Sequence, residues 1–127
     1  MELSTGNTGK ELSMDGALSA LTQRNVVEAT VAQLRKDLGL GPEELPVPEA
    51  DVFEVLRSAV ARRLDVAEQR GELSRLLYQV DVPEHWTTEA LALGGVRELA
   101  GRTVLRCLQK VVLRLHFSAG SGDPATT

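Results

Sequence analysis

Between Val96 and Phe117 the apolar residues Ala100, Val104, Cys107, Leu108, Val111 and Leu115 return every three or four positions, and Leu105 and Val112 widen the stripe. A 3.6-residue period with so broad an apolar face defines a helix that is covered on several sides, so this segment is expected to be the central helix of a packed bundle. The run Val111 to Phe117 contains β-branched and aromatic residues that would also suit a strand, but it continues the helical period without a break and no second strand pattern exists to pair with it.

The rest of the chain is punctuated in a way that cuts it into further helices. Leu12, Leu18 and Leu21 suggest a short first helix, weakened by Gly16 at about 1 kcal/mol relative to Ala. Val27, Val31, Leu34 and Leu38 line one face of a second helix, with Asn25 as the expected N-cap and Gly39 as its end. The segment from Gly39 to Pro48 holds three prolines and two glycines and reads as a connecting loop. A helix with Val52, Leu56, Val60, Leu64 and Ala67 on one side is expected from about Glu49 to Gly71. Leu73, Leu76, Leu77 and Val80 extend helical spacing to near Val82, where Pro83 disfavours helical geometry in the residue before it. His85 to Leu93 forms a shorter helix, with Thr87 or Thr88 as its cap, before the Gly94-Gly95 pair interrupts it.

The expectation is therefore an all-α, compact bundle of four to five helices occupying residues 12–117 as a single domain. Residues 1–11 and 118–127, rich in Gly, Ser and Thr, are expected to be flexible tails. At 127 residues the chain can bury a core without metal or disulfide, and its 3% aromatic content leaves Leu, Val and Ala to fill that core.

The charge and cysteine content narrow the function classes. A formal net charge of -4 disfavours strong general binding to phosphate backbones, which requires clustered Lys and Arg. Cys107 is the single cysteine, so no internal disulfide forms and a reducing, cytoplasmic setting is expected. The first residues lack the basic start and apolar run of a signal peptide, and no apolar stretch of about 18 residues exists to span a bilayer, so no membrane association is expected.

Motifs for chemistry are sparse. Gly6-Asn7-Thr8-Gly9-Lys10 has the flavour of a phosphate-binding loop but lacks its first glycine and carries Glu11 where Ser or Thr would hold magnesium, so no cofactor is expected. Asp81, Glu84 and His85 cluster around Pro83, although their spacing matches no ligand signature. Cys107, placed among aliphatic residues, reads as a small core hydrophobe, and His116 as a cation complementing a helix C-terminus. Trp86 and Tyr78 are both read as core anchors, with exposure as an interaction hot spot the alternative for each.

The most distinctive electrostatic feature is Arg102, Arg106, Lys110 and Arg114, spaced four apart so that successive side chains drift by about 40° around the helix. They form a slanted basic stripe roughly opposite the apolar face. Solvation or ion pairing with acidic neighbours accounts for such a stripe; partner binding is the functional alternative.

The segment Leu76-Leu77-Tyr78-Gln79-Val80-Asp81-Val82-Pro83-Glu84, followed by Arg106-Cys107-Leu108-Gln109-Lys110-Val111 and Arg114, resembles small bacterial proteins of unknown function that share a Leu-Tyr-x-x-Asp-Val-x-Glu segment and a basic C-terminal helix. The resemblance implies a bacterial origin and a compact helical fold, and no activity. Read from its residues, the same segment is a structural junction in which Tyr78 packs, Asp81 ends one helix and caps the next, and Pro83 opens that next helix.

These features favour a non-enzymatic helical module that binds a protein partner, or a second copy of itself as a homodimer, through an apolar groove or the Arg102, Arg106, Lys110 and Arg114 stripe. The alternative is a nucleic-acid-associated regulator using that stripe. An enzyme with a small site at Glu84 and His85 is the third reading.

Overall fold

A computed structural model describes residues 14–121. Five helices and no strand are found among them: α1 Met14–Ala20, α2 Arg24–Leu38, α3 Val52–Gln69, α4 Leu73–Val80 and α5 Glu84–Ser121. The expected all-α bundle is what the chain forms. The Gly6 to Lys10 motif, Leu12 and most of both expected tails lie outside the described residues, while α5 runs on past Phe117 to Ser121.

The apolar periodicities became one aliphatic core. Val27, Val31, Leu34 and Leu38 of α2, Leu56, Val60, Leu64 and Ala67 of α3, and Leu99, Val104 and Leu108 of α5 are buried in a single cluster. α5 packs against all four other helices and most extensively against α3, so it is the central element its broad stripe predicted. Gly101 lets α5 approach α3 closely, since a Cβ there would lie 3.2 Å from Arg57 Cδ and 3.7 Å from Phe53 Cζ.

Glycine ends two of the helices as expected. Gly39 adopts φ 68°, ψ 42°, and its own N–H and that of Leu40 both return to the Arg35 carbonyl. That left-handed turn is open to glycine without the Cβ clash other residues suffer. Gly71, with φ 71°, plays the same part after α3.

Several helix starts differ from expectation. α2 begins at Arg24 with Gln23 in the N-cap position and no side-chain cap, so Asn25 lies inside the helix and does not cap it. α3 begins at Val52, not near Glu49, because Asp51 turns the chain through a left-handed conformation (φ 49°) and two prolines precede it. The helix expected to start at Thr87 or Thr88 begins at Glu84, directly after Pro83, whose carbonyl accepts from the Trp86 N–H at 3.0 Å. The Gly94-Gly95 pair interrupts it as expected: Gly94 (φ −155°, ψ 15°) and Gly95 (φ 70°, ψ −151°) both leave helical geometry, and the chain continues beyond them as the second arm of α5.

The Pro-rich connection between α2 and α3 is more than a tether. Leu45 is fully buried in the core, the Gly41 N–H donates to Glu44 Oε1 at 2.8 Å, and Arg35 Nε donates to the Leu45 carbonyl at 2.9 Å. From the other side Arg63 Nε donates to the Leu38 carbonyl at 2.8 Å, meeting an acceptor that the helix end leaves open.

Candidate functional site

The four residues of the basic stripe all lie on the second arm of α5, one turn apart, and the fold uses most of their donors internally. Arg102 bonds Glu89 at 2.8 Å across the bend and Glu98 at 3.4 Å. Arg106 donates through Nε to the Asp81 carbonyl at 3.0 Å and through Nη2 to Asp81 Oδ2 at 2.8 Å. Lys110 Nζ donates to the Val80 carbonyl at 2.9 Å and lies 3.5 Å from Asp37 Oδ2. Arg114 Nη1 donates to Gln33 Oε1 at 3.1 Å from an exposed position. Side-chain exposures of 23%, 25% and 27% make Arg102, Arg106 and Lys110 half-buried clamps, and within the stripe only Arg114 is exposed.

The reason lies in α4. That helix ends at Asp81, and its last carbonyls, which have no intrahelical donor, are laid over the stripe, where cations satisfy them and complement the negative end of the helix dipole. Within the stripe, the hydrogen bond from Arg102 holds the Glu89 carboxyl below the usual carboxylate range and pushes the Arg102 guanidinium up.

The junction residues are placed differently from their expected roles. Asp81 does end α4, in a left-handed conformation (φ 68°, ψ 43°) that glycine usually supplies, and the Val82 N–H returns to the Leu77 carbonyl. It does not cap α5: its carboxylate is taken by Arg106, and Pro83 rather than Asp81 stands before the first residue of the helix. Tyr78 is not a core residue. It is 86% exposed, because the apolar face of the short α4 is already filled by Leu76, Leu77 and Val80. Trp86, 8% exposed, is the core anchor expected of it.

Glu84 and His85 are both exposed and open onto different surfaces, as consecutive residues about 100° apart on a helix must. His85 borders a cleft of about 400 Å³ under the bend of α5, with Phe53, Trp86, Glu89 and Arg102. Glu84 borders a groove of about 330 Å³ between α4 and the first arm of α5, with Leu77, Tyr78, Val82, Thr87 and Thr88. The two side chains therefore do not converge on one reacting centre, and among the described residues no three His, Cys, Asp or Glu side chains gather as metal ligands. No described helix is long and apolar enough to cross a membrane.

Cys107 is buried at the α2–α5 contact, its Sγ 3.9 Å from the Thr30 carbonyl. Burial, reinforced by the nearby Asp37 carboxylate, pushes its thiol from the usual 9.0 up to about 12. A thiol-specific reagent at pH 8 is therefore expected to leave the folded protein unlabelled and to label it fully in denaturant. The folded thiol holds its proton more tightly than the unfolded one, so its contribution to stability is full below pH 9.0 and is lost as pH rises toward about 12. Rapid labelling of the native state at pH 8 would contradict this burial.

The one surface feature that the sequence reading placed inside is Tyr78, and the signal was present: in Leu76-Leu77-Tyr78-Gln79-Val80 the buried positions 76, 77 and 80 leave 78 on the opposite face. Compared with known proteins, the chain matches no family model, no curated protein and no solved structure at a significant level.

Proposed function

We propose that the protein is a non-enzymatic helical module that binds a protein partner through the groove between α4 and the first arm of α5, with Tyr78 as its anchor. The observation that carries this reading is the exposure of Tyr78. In a chain with one tyrosine and one tryptophan, a large amphipathic ring left 86% exposed beside a groove is the kind of residue that dominates binding energy at interfaces. The groove offers an apolar floor at Leu77 and Val82 and a rim of Ser74, Thr87 and Thr88 hydroxyls, suited to a partner that inserts an apolar side chain and meets the rim with backbone polar groups.

A reading in which the basic stripe grips a nucleic-acid backbone would need those cations at the surface, and Arg102, Arg106 and Lys110 are instead committed to acceptors within the chain. For the same reason, reversing Arg106 and Lys110 to Glu would unpin α4 and confuse lost binding with lost folding.

The cleaner test is Tyr78→Ala. Its thermal and urea unfolding are expected to stay within about 0.5 kcal/mol of the parent, because the ring touches little of the core. Affinity purification from the native host with the parent and the variant side by side is expected to recover a protein that the variant loses. Recovery of the same proteins by both would overturn the proposal.

A further inference from the structure

α5 carries two glycines at its bend, and the bent path requires each for a separate reason. Gly95 has φ 70° with ψ −151°, a region closed to residues with a Cβ. Gly94 lies where an added Cβ would come within 3.0 Å of Glu98 Cβ, tighter than ordinary van der Waals contact. In a straight helix both constraints vanish, and alanine there is preferred to glycine. Two glycines thus leave both the bent and the continuous path open to the backbone, and alanine at both positions would leave only the continuous one.

The two arms hold on to the rest of the molecule separately. The first arm, residues 84–93, is anchored by Trp86 and Ala90. The second, residues 96–121, supplies Leu99, Ala100, Val104, Cys107, Leu108 and Val111, all fully buried. Between the arms Gly94 is exposed, and the bend is bridged by the ion pair of Glu89 with Arg102 and by the cleft that Trp86 of the first arm shares with Leu105 of the second. Straightened, the 38 residues of α5 would span about 57 Å at 1.5 Å per residue. A domain of this size is roughly 35 Å across, given a radius of gyration near 13 Å. A straight α5 therefore cannot keep both arms on one body, and the protruding arm with its apolar row must be covered by another copy.

We propose that Gly94-Gly95 is a hinge through which α5 straightens and exchanges its second arm with a second copy of the chain. In the resulting dimer each cleft between α2 and α3 is filled by the second arm of the other copy, and the Glu89 to Arg102 pair re-forms between copies. Every buried contact of the monomer is retained, and only the bend is lost, which is the condition for domain exchange. This inference is independent of the Tyr78 groove, which stays open in both forms because α4 and the first arm do not separate.

The test is the double variant Gly94→Ala, Gly95→Ala, measured by light scattering behind size exclusion, with spin labels at Thr88→Cys and Leu113→Cys on the two arms; Cys107, being buried, is not labelled. Refolded with an excess of unlabelled variant so that only the separation within one chain is read, the variant is expected to be a dimer with a label separation of about 38 Å, the length of 25 residues of continuous helix. The parent is expected to be mainly monomeric with a shorter separation. The parent, held concentrated near its unfolding midpoint and cooled, is expected to trap the same dimer. A folded monomeric variant overturns the proposal, as does a dimer that keeps the short separation within one chain. If the variant does not fold, a parent that returns wholly as monomer from that treatment overturns it as well.

Discussion

Replacing Lys110 with methionine is expected to destabilise the protein by about 3 kcal/mol, more than a surface lysine would suggest. The Lys110 ammonium serves two acceptors that the fold has taken from water: the Val80 carbonyl at 2.9 Å and Asp37 Oδ2 at 3.5 Å. Asp37 has a side chain only 12% exposed, and while its Oδ1 accepts from Gln33 at 3.0 Å, its Oδ2 has no hydrogen-bond donor. Lys110 is therefore the charge that makes the buried carboxylate tolerable. Removing one member of such a pair costs more than the pair contributes, because the survivor is stranded. Adding Asp37→Asn to Lys110→Met is accordingly expected to restore a good part of the loss, and a double-mutant cycle by urea unfolding measures it. A loss under 1 kcal/mol with no recovery would mean that water screens the pair.

Trp86→Ala is expected to cost about 3 to 4 kcal/mol, the usual range for truncating a buried large aromatic. Trp86 is the first buried side chain of α5, set beside Phe53 and Leu105 at the cleft beneath the bend. Without it the first arm rests on Ala90 and on the Glu89 to Arg102 pair, whose carboxylate is exposed and which contributes little by itself. Far-ultraviolet circular dichroism during thermal unfolding should show an earlier transition, with Trp86→Phe recovering most of it. Equal stability of the alanine and parent proteins would show that the arm is held by something other than the ring.

Lys110 and Asp37 are distant in sequence, and nothing in the local pattern around either names the other. Viewed on its own helix, the Arg102, Arg106, Lys110 and Arg114 row lies away from the apolar stripe and reads as a solvated face. Its true surroundings are decided by α4, whose end is brought over Arg106 and Lys110 from residues 80 and 81. Asp81 shows the same limit at short range: its position at a helix end was legible from Pro83, but its left-handed backbone and its bond to Arg106 belong to the packed molecule. Leu45 was hidden among prolines and glycines, where no period exists to mark a buried residue, and it became core because α2 and α3 close over it.

By itself the sequence determined the local layer of this protein: helices where apolar residues return every three or four positions, ends at Gly39, Gly71 and Pro83, an aliphatic core, and a central last helix. Those features depend on backbone geometry and on side chains within a few positions of one another, which the order of residues states directly. The tertiary structure alone decided which charges are clamped inside, that Leu45 joins the core, and how the second arm of α5 lies after the Gly94-Gly95 break. Each of these depends on which helix lies over which, and pairings between distant segments arise only when the core closes and desolvates the groups along its edge.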